Sequence, residues 1–265
     1  MNKQFWTLNK NGNEVLRNLE EEHKGFTLEK YNQGEFDGNN FIWYELFDMY
    51  SHGSNGCDYE RRGCFIKEGD TVVDIGANIG VFAYRAELRG AAQVICFEPM
   101  DLTFNSLKKN IGPKTTAHKL AVGGKNEFKK FVIHTDYSHL GGGFDITKEE
   151  IRNGRDIIHE DITFSIDINS LFDGTLCDKI DFLKIDVEGG EVEILNSITD
   201  ENLKSLRCLA AEFHKTNEEF NIFQSNFSNR MGTLGFTSFT LYHGVDNNTN
   251  LRTLTFWKDE QNTTN

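Results

Sequence analysis

Two stretches of this chain share one pattern. Val72-Val73-Asp74-Ile75-Gly76-Ala77-Asn78-Ile79-Gly80 and Phe182-Leu183-Lys184-Ile185-Asp186-Val187-Glu188-Gly189-Gly190-Glu191 are both apolar runs that reach an acidic residue and then break into glycine. A strand buried on both faces of a parallel sheet reads as a nearly continuous apolar run. Carboxylates and bare backbone at its end lie on the carboxyl edge of the sheet, where open α/β sheets bind ligands. The pair therefore predicts a fold class and the place of the site together.

The rest of the chain agrees with that reading. From Lys67 onward, apolar runs predicted as strands (71–75, 93–97, 116–121, 181–186 and 208–213) alternate with helical patterns over 81–88, 102–110 and 191–198. This rhythm implies a parallel, doubly wound sheet. The stretches 237–242 and 253–257 follow with only a loop between them, which predicts a terminal antiparallel hairpin. Residues 1–55 read as an appended helical or irregular segment with an aromatic cluster at 41–47, and 51–56 as the boundary to a main domain over 56–260. An interruption at about 128–169 begins with alternating residues, passes Gly141-Gly142-Gly143 and ends in a short strand over 163–166. Insertions of this length are often functional, and a substrate-facing lid is the expectation.

Composition narrows the partners. A net charge of −13 over 265 residues argues against general nucleic-acid binding, which needs clustered Lys and Arg. A neutral or cationic small molecule fits that field better. No apolar run approaches the roughly 20 residues of a membrane span. Residues 1–10 hold Phe5 and Trp6 but no apolar core of a secretory signal, so a cytoplasmic protein is expected. The five cysteines match no zinc or disulfide pattern; Cys96 and Cys208 read as core thiols, and Cys57 with Cys64 as the one candidate pair.

The glycine-ended turns carry the chemistry. Gly76, Asn78 and Gly80 form a turn whose backbone N–H groups can approach a ligand, ahead of a helix N-terminus. About 20 residues on, Phe97-Glu98-Pro99 ends the second strand in a carboxylate placed to accept both hydroxyls of a ribose. A dinucleotide loop would have glycine at position 82, where this chain has Phe82, and Asp74 beside the turn would repel a pyrophosphate. The same Asp74 suits the cationic amino-acid end of S-adenosylmethionine. At the second turn, Asp186 reads as functional. Glu188 and Glu191 read either as functional or as acidic residues favouring a helix N-terminus.

These residues resemble the FkbM-type S-adenosylmethionine-dependent methyltransferases. The resemblance rests on 73–80, on Phe97-Glu98-Pro99 and on 184–191, with weaker support from Phe104, Asn105, Leu107 and Asn110 and from Ser165-Ile166-Asp167. It covers roughly residues 60–213. It implies a Rossmann-like, mostly parallel seven-stranded methyltransferase sheet and methyl transfer to a hydroxyl of a sugar, glycan or related small molecule. The expected cofactor contacts are Asp74, Gly76, Ala77, Asn78, Gly80, Glu98, Pro99 and Asp186.

Methylating a hydroxyl needs a base, and Ala211-Glu212-Phe213-His214 ends a neighbouring strand. His214 or Asp186 is the expected base, with Glu188 orienting the acceptor and His134 and His139 as weaker acceptor contacts. Asp186, Glu188, Glu212 and His214 are ligand types compatible with Mg²⁺ or Mn²⁺, but their spacing is no metal signature, and a metal is not favoured. The rival readings are an NAD(P)- or nucleotide-binding oxidoreductase and a catalytically silent cofactor-binding module.

Overall fold

The computed structural model describes residues 4–8, 14–18, 57–134, 142–144, 157–213, 218–242 and 252–259. Its centre is a seven-stranded sheet built from apolar, β-branched-rich runs. These are β3 (Thr71–Ile75), β4 (Gln93–Phe97), β5 (Thr115–His118), β10 (Phe182–Ile185), β11 (Cys208–Phe213), β12 (Thr237–Tyr242) and β13 (Arg252–Trp257). Two further strands, β1 (Gln4–Leu8) and β2 (Glu14–Asn18), pair antiparallel at the N-terminus. The first fifty residues, expected to be helical or irregular, therefore include a hairpin. Neither Gln4–Leu8 nor Glu14–Asn18 alternates strictly between apolar and polar residues, so hydrophobic period does not mark either run as a strand.

The order across the large sheet is β12-β13-β11-β10-β3-β4-β5. Every pairing from β11 to β5 is parallel, while β13 runs antiparallel to both β11 and β12. This is the expected Rossmann-like, mostly parallel seven-stranded sheet, with its terminal antiparallel hairpin. The chain winds outward from β3 through β4 to β5, then returns to β10 on the other side of β3. The seam between β3 and β10 is thus the topological switch point, and a ligand crevice belongs at its carboxyl end.

Helices cover both faces. On one lie α1 (Val81–Leu88) and α2 (Asp101–Asn110). In α2 the buried residues Thr103, Ser106, Leu107 and Asn110 recur every three to four positions, and Asp101, Lys108 and Lys109 face solvent. On the other lie α3 (Glu191–Ser197), α4 (Asp200–Ser205) and α5 (Glu218–Thr233). Strand alternation sorts the core between these layers. Val73, Ile75, Leu183, Ile185, Leu209 and Ala211 pack with Ile194, Leu195, Phe220 and Phe227. Val72, Phe182, Cys208 and Ala210 pack with Phe82, Ala83 and Ala86. Cys57, Tyr59, Cys64 and Ile66 join this second layer, so the segment before β3 is folded onto α1. A buried ion pair between Arg85 and Glu60 fixes it there, and Glu60 also accepts the Ile66 N–H at 2.9 Å. The described cysteines are all free, and the thiol of Cys64 engages that of Cys208.

The interruption is a sheet of its own. β6 (Ala121–Gly123), β7 (Glu127–His134), β8 (Gly142–Phe144) and β9 (Ile157–Asp167) pair in the order β6-β9-β7-β8. The strand expected over 116–121 is therefore two: β5 leaves the large sheet at His118, and Ala121 already pairs with Ser165 in the small one. The short strand expected at 163–166 is the end of an eleven-residue strand.

Candidate functional site: an acidic crevice at the switch point

At the carboxyl ends of β3, β4 and β10 a crevice of about 510 Å³, counted to its open mouth, is lined by the glycine loop, the β4 end and the β10 end. Of the residues predicted to bind cofactor, Gly76, Asn78, Glu98, Pro99 and Asp186 line it, as does Glu188. Its apolar wall comes from Phe97, Met100, Leu120, Val122 and Phe131. Phe131 belongs to β7, so the inserted sheet supplies part of the crevice.

The glycine loop is shaped by backbone that other residues adopt reluctantly. Gly76, Asn78 and Gly80 have φ of 75°, 49° and 92°. A Cβ on Gly76 would stand 1.7 Å from the carbonyl oxygen of Asp186, so glycine there lets the two strand ends approach. The amide of Asn110 donates to the Ile79 carbonyl at 2.7 Å and ties the loop to α2. Ala77 and Gly80 support this turn without lining the crevice.

Glu98 clamps the two loops together. Its Oε2 accepts the Asn78 N–H at 2.8 Å, and its Oε1 accepts the Met100 N–H at 3.0 Å and the Thr103 hydroxyl at 2.8 Å. Burial pushes its carboxyl above the ordinary range, and those three donors pull the other way.

Asp74 sits differently from the expectation of a group facing the ligand. It is fully buried, and its Oδ1 lies 3.1 Å from the ammonium of Lys184. Lys184 also donates to the Gly76 carbonyl at 2.8 Å, approaches Asp186 Oδ2 at 3.4 Å and lies 5.2 Å over the Tyr59 ring. Burial raises the Asp74 carboxyl, Lys184 lowers it, and Asp186 raises it further. Two carboxylates facing one ammonium leave this wall net negative when both are ionised.

Asp186 immediately follows β10 and is bound by Tyr59, whose hydroxyl lies 2.9 Å from Asp186 Oδ2 and 2.6 Å from Glu212 Oε2. Glu188 has φ of 59°, a left-handed conformation uncommon outside glycine. Glu191 is turned inward, where its carboxylate accepts the N–H groups of Val187 at 3.2 Å and Gly189 at 3.0 Å. It organises the loop that carries Glu188. His139 and His214 lie outside the described residues, and His134 is described in backbone alone as the end of β7. Among the described residues no three His, Cys, Asp or Glu side chains gather as a metal site, and no helix is long and apolar enough to cross a membrane.

Sequence reasoning gave no role to Tyr59, Lys184, Thr103 or Phe131. A signal existed for Lys184 alone: it stands two residues before Asp186, hence on the same strand face.

Residues 74–243 match the Methyltransferase FkbM domain family. The chain is 25% identical over 215 residues to 31-O-demethyl-FK506 methyltransferase FkbM of Streptomyces tacrolimicus, covering 72% of this chain and 79% of that protein. It is 24% identical over 188 residues to AMB antimetabolite synthetase AmbE of Pseudomonas aeruginosa; the match takes in 59% of this chain and spans 9% of that much longer protein. Among solved structures, the N-terminal domain of human METTL16 in complex with SAH matches with 14% identity and a TM-score of 0.42, covering 83% of this chain and 68% of that one. With 170 consecutive residues matched, from Asp74 near the end of β3 to the residue after β12, the chain belongs to the FkbM methyltransferase family.

Proposed function

We propose that the protein is an S-adenosylmethionine-dependent O-methyltransferase acting on a hydroxyl of a sugar, glycan or related small molecule. The observation that carries this reading is Asp186 at the switch point, a residue that lines the crevice beside the glycine loop. The relative from Streptomyces tacrolimicus is named for an O-demethyl compound, which supports oxygen as the acceptor atom.

The crevice fits the cofactor. Glu98 ends β4, where a carboxylate can accept ribose hydroxyls, and the apolar wall suits a flat heterocycle. Asp186 on the crevice wall, with the buried Asp74 and Lys184 behind it, forms a net negative cluster when both carboxyls are ionised, which suits a cation. The bound cofactor would supply an electrophilic methyl group on a sulfonium. The protein's own residues then have two tasks. Glu188, on the crevice wall, orients the acceptor, and positioning of this kind can lower a barrier by about 7–11 kcal/mol at best. Asp186 accepts the hydroxyl proton as the new bond forms, a contribution of typically about 10²–10⁴-fold.

The test is label transfer from methyl-labelled S-adenosylmethionine to a panel of polyols, oligosaccharides and polyketide alcohols, beside calorimetry with S-adenosylmethionine and with NAD. An alkali-stable methyl ether supports the reading. Label found on an amine, or as a base-labile ester, overturns oxygen-hydroxyl transfer. Binding of NAD in place of S-adenosylmethionine overturns the cofactor.

A further inference from the structure

Tyr59 lies outside the residues that match the family, yet its hydroxyl stands between Asp186, which lines the crevice, and the buried Glu212. The placement follows from strand alternation. Asp74, Lys184 and Glu212 fall on the sheet face that α1 and the segment before β3 cover, with Lys184 the register partner of Asp74. Tyr59 reaches this face across Phe82, ring centroids 5.4 Å apart.

The geometry sets a proton count. A phenol carries one proton, and its oxygen is 2.6 Å from Glu212 Oε2 and 2.9 Å from Asp186 Oδ2. If both carboxylates were ionised, the one O–H would serve one of them and turn a lone pair toward the other at hydrogen-bond distance. One further proton resolves the conflict: a carboxyl donates to the phenol oxygen, and the phenol donates to the remaining carboxylate. Repulsion between two anions that share one phenol oxygen also favours keeping one of them protonated.

The charges around the trio choose which one is ionised. Lys184 on β10 lies 3.4 Å from Asp186 Oδ2 and favours its anion. Asp74 on β3 and Glu188 in the loop after β10 add negative charge, which favours keeping one proton in the cluster. On the segment of Tyr59, Asp58 is paired with Arg61 and Glu60 with Arg85.

We propose that Tyr59 is a positioning residue for methyl transfer, linking a protonated Glu212 to an ionised Asp186 so that Asp186 is the base presented to the acceptor. In the step itself Asp186 takes the hydroxyl proton, the acceptor oxygen gains the methyl group, and the electrons of the broken carbon–sulfur bond stay on sulfur. This rests on the O-methyltransferase reading above.

The experiment uses Tyr59→Phe and Glu212→Gln in the full chain. Tyr59→Phe keeps the ring against Phe82 and Lys184 and removes the hydroxyl alone. It is expected to lower kcat by about 10- to 100-fold, the range of a hydrogen bond to a charged group. The cofactor Kd should stay unchanged, and the acid limb of the kcat profile should move to higher pH, because Asp186 loses a donor to its anion. Glu212→Gln presents an N–H where the protonated carboxyl stood and should leave that limb in place. Infrared difference spectra need no methyl donor: wild type at neutral pH should show a protonated-carboxyl band that Glu212→Gln lacks. Absence of that band overturns the proposal, as does an unshifted acid limb in Tyr59→Phe. A protein that shows the band but transfers no methyl group keeps the proton count and overturns the proposed function instead.

Discussion

Lys184 and Asp74 are register partners on adjacent parallel strands, and their side chains meet at 3.1 Å with neither open to solvent. An ammonium and a carboxylate are expensive to bury singly, so each is the condition for the other. Asp74 stands two residues before Gly76 of the glycine loop, and Lys184 two before Asp186. The electrostatics of the crevice are therefore set by core residues, beneath the groups that line it.

Replacing Lys184 by Met should destabilise the fold by about 3–5 kcal/mol, the cost of breaking a buried pair from one side. Asp74→Asn in the same chain should recover part of that loss, since the stranded carboxylate is gone. Urea unfolding of the two variants measures both. A loss under about 1 kcal/mol, the scale of an exposed pair, would contradict the burial argument.

The pH dependence of stability follows from Asp74. Burial is the largest influence on its folded carboxyl and holds it above the ordinary aspartate range. Over the interval between the unfolded and folded values, the folded state binds more protons than the unfolded chain. Stability contributed by this group therefore falls as pH rises through that interval. Asp74→Asn removes the contribution, so its urea midpoints should decline less steeply with pH than those of wild type. Parallel curves would show that Asp74 is ionised equally in both states.

Gly76→Ala should be among the most damaging single substitutions. Left-handed strain at φ 75° costs about 1–3 kcal/mol. The added Cβ would also strike the Asp186 carbonyl at 1.7 Å and push β10 from β3. Thermal unfolding should show a large drop, and cofactor affinity should fall with it. A variant of native stability would mean that the two strand ends can part freely.

Glu98→Gln tests the loop clamp. An amide cannot accept from Asn78, Met100 and Thr103 at once, since one of its atoms must donate. Calorimetry should show S-adenosylmethionine binding weakened about 10-fold or more, the equivalent of about 1.4 kcal/mol. Thr103→Val removes one donor and should cost less. Equal affinity in Glu98→Gln and wild type would remove Glu98 from cofactor binding.

Much of the crevice was legible in the chain because its signals are local. A strand buried on both faces writes itself as an apolar run, and a turn through positive φ writes itself as glycine. Both are visible at 72–80 and 182–191 with no knowledge of neighbours. The acidic group at the end of β4 was legible for the same reason. The inserted sheet was less so: β9 opens with Ile157-Ile158 and runs on through His159-Glu160-Asp161, which breaks the alternation by which a half-buried strand is read. The N-terminal hairpin escaped because five-residue strands carry little periodic signal.

Local pattern thus established the strand ends, the glycine turn and the presence of Asp74, Glu98 and Asp186 at one sheet edge. Folding settled what those carboxylates meet. Tyr59 is 127 positions from Asp186 and 153 from Glu212, and Lys184 is 110 from Asp74, so no window of sequence contains either relationship. The register of β10 against β3 decides that Lys184 faces Asp74, and the packing of the segment before β3 decides that a phenol reaches Asp186. Which acid faces the ligand and which is neutralised in the core depends on burial and on long-range partners, and these exist only once the sheet has closed.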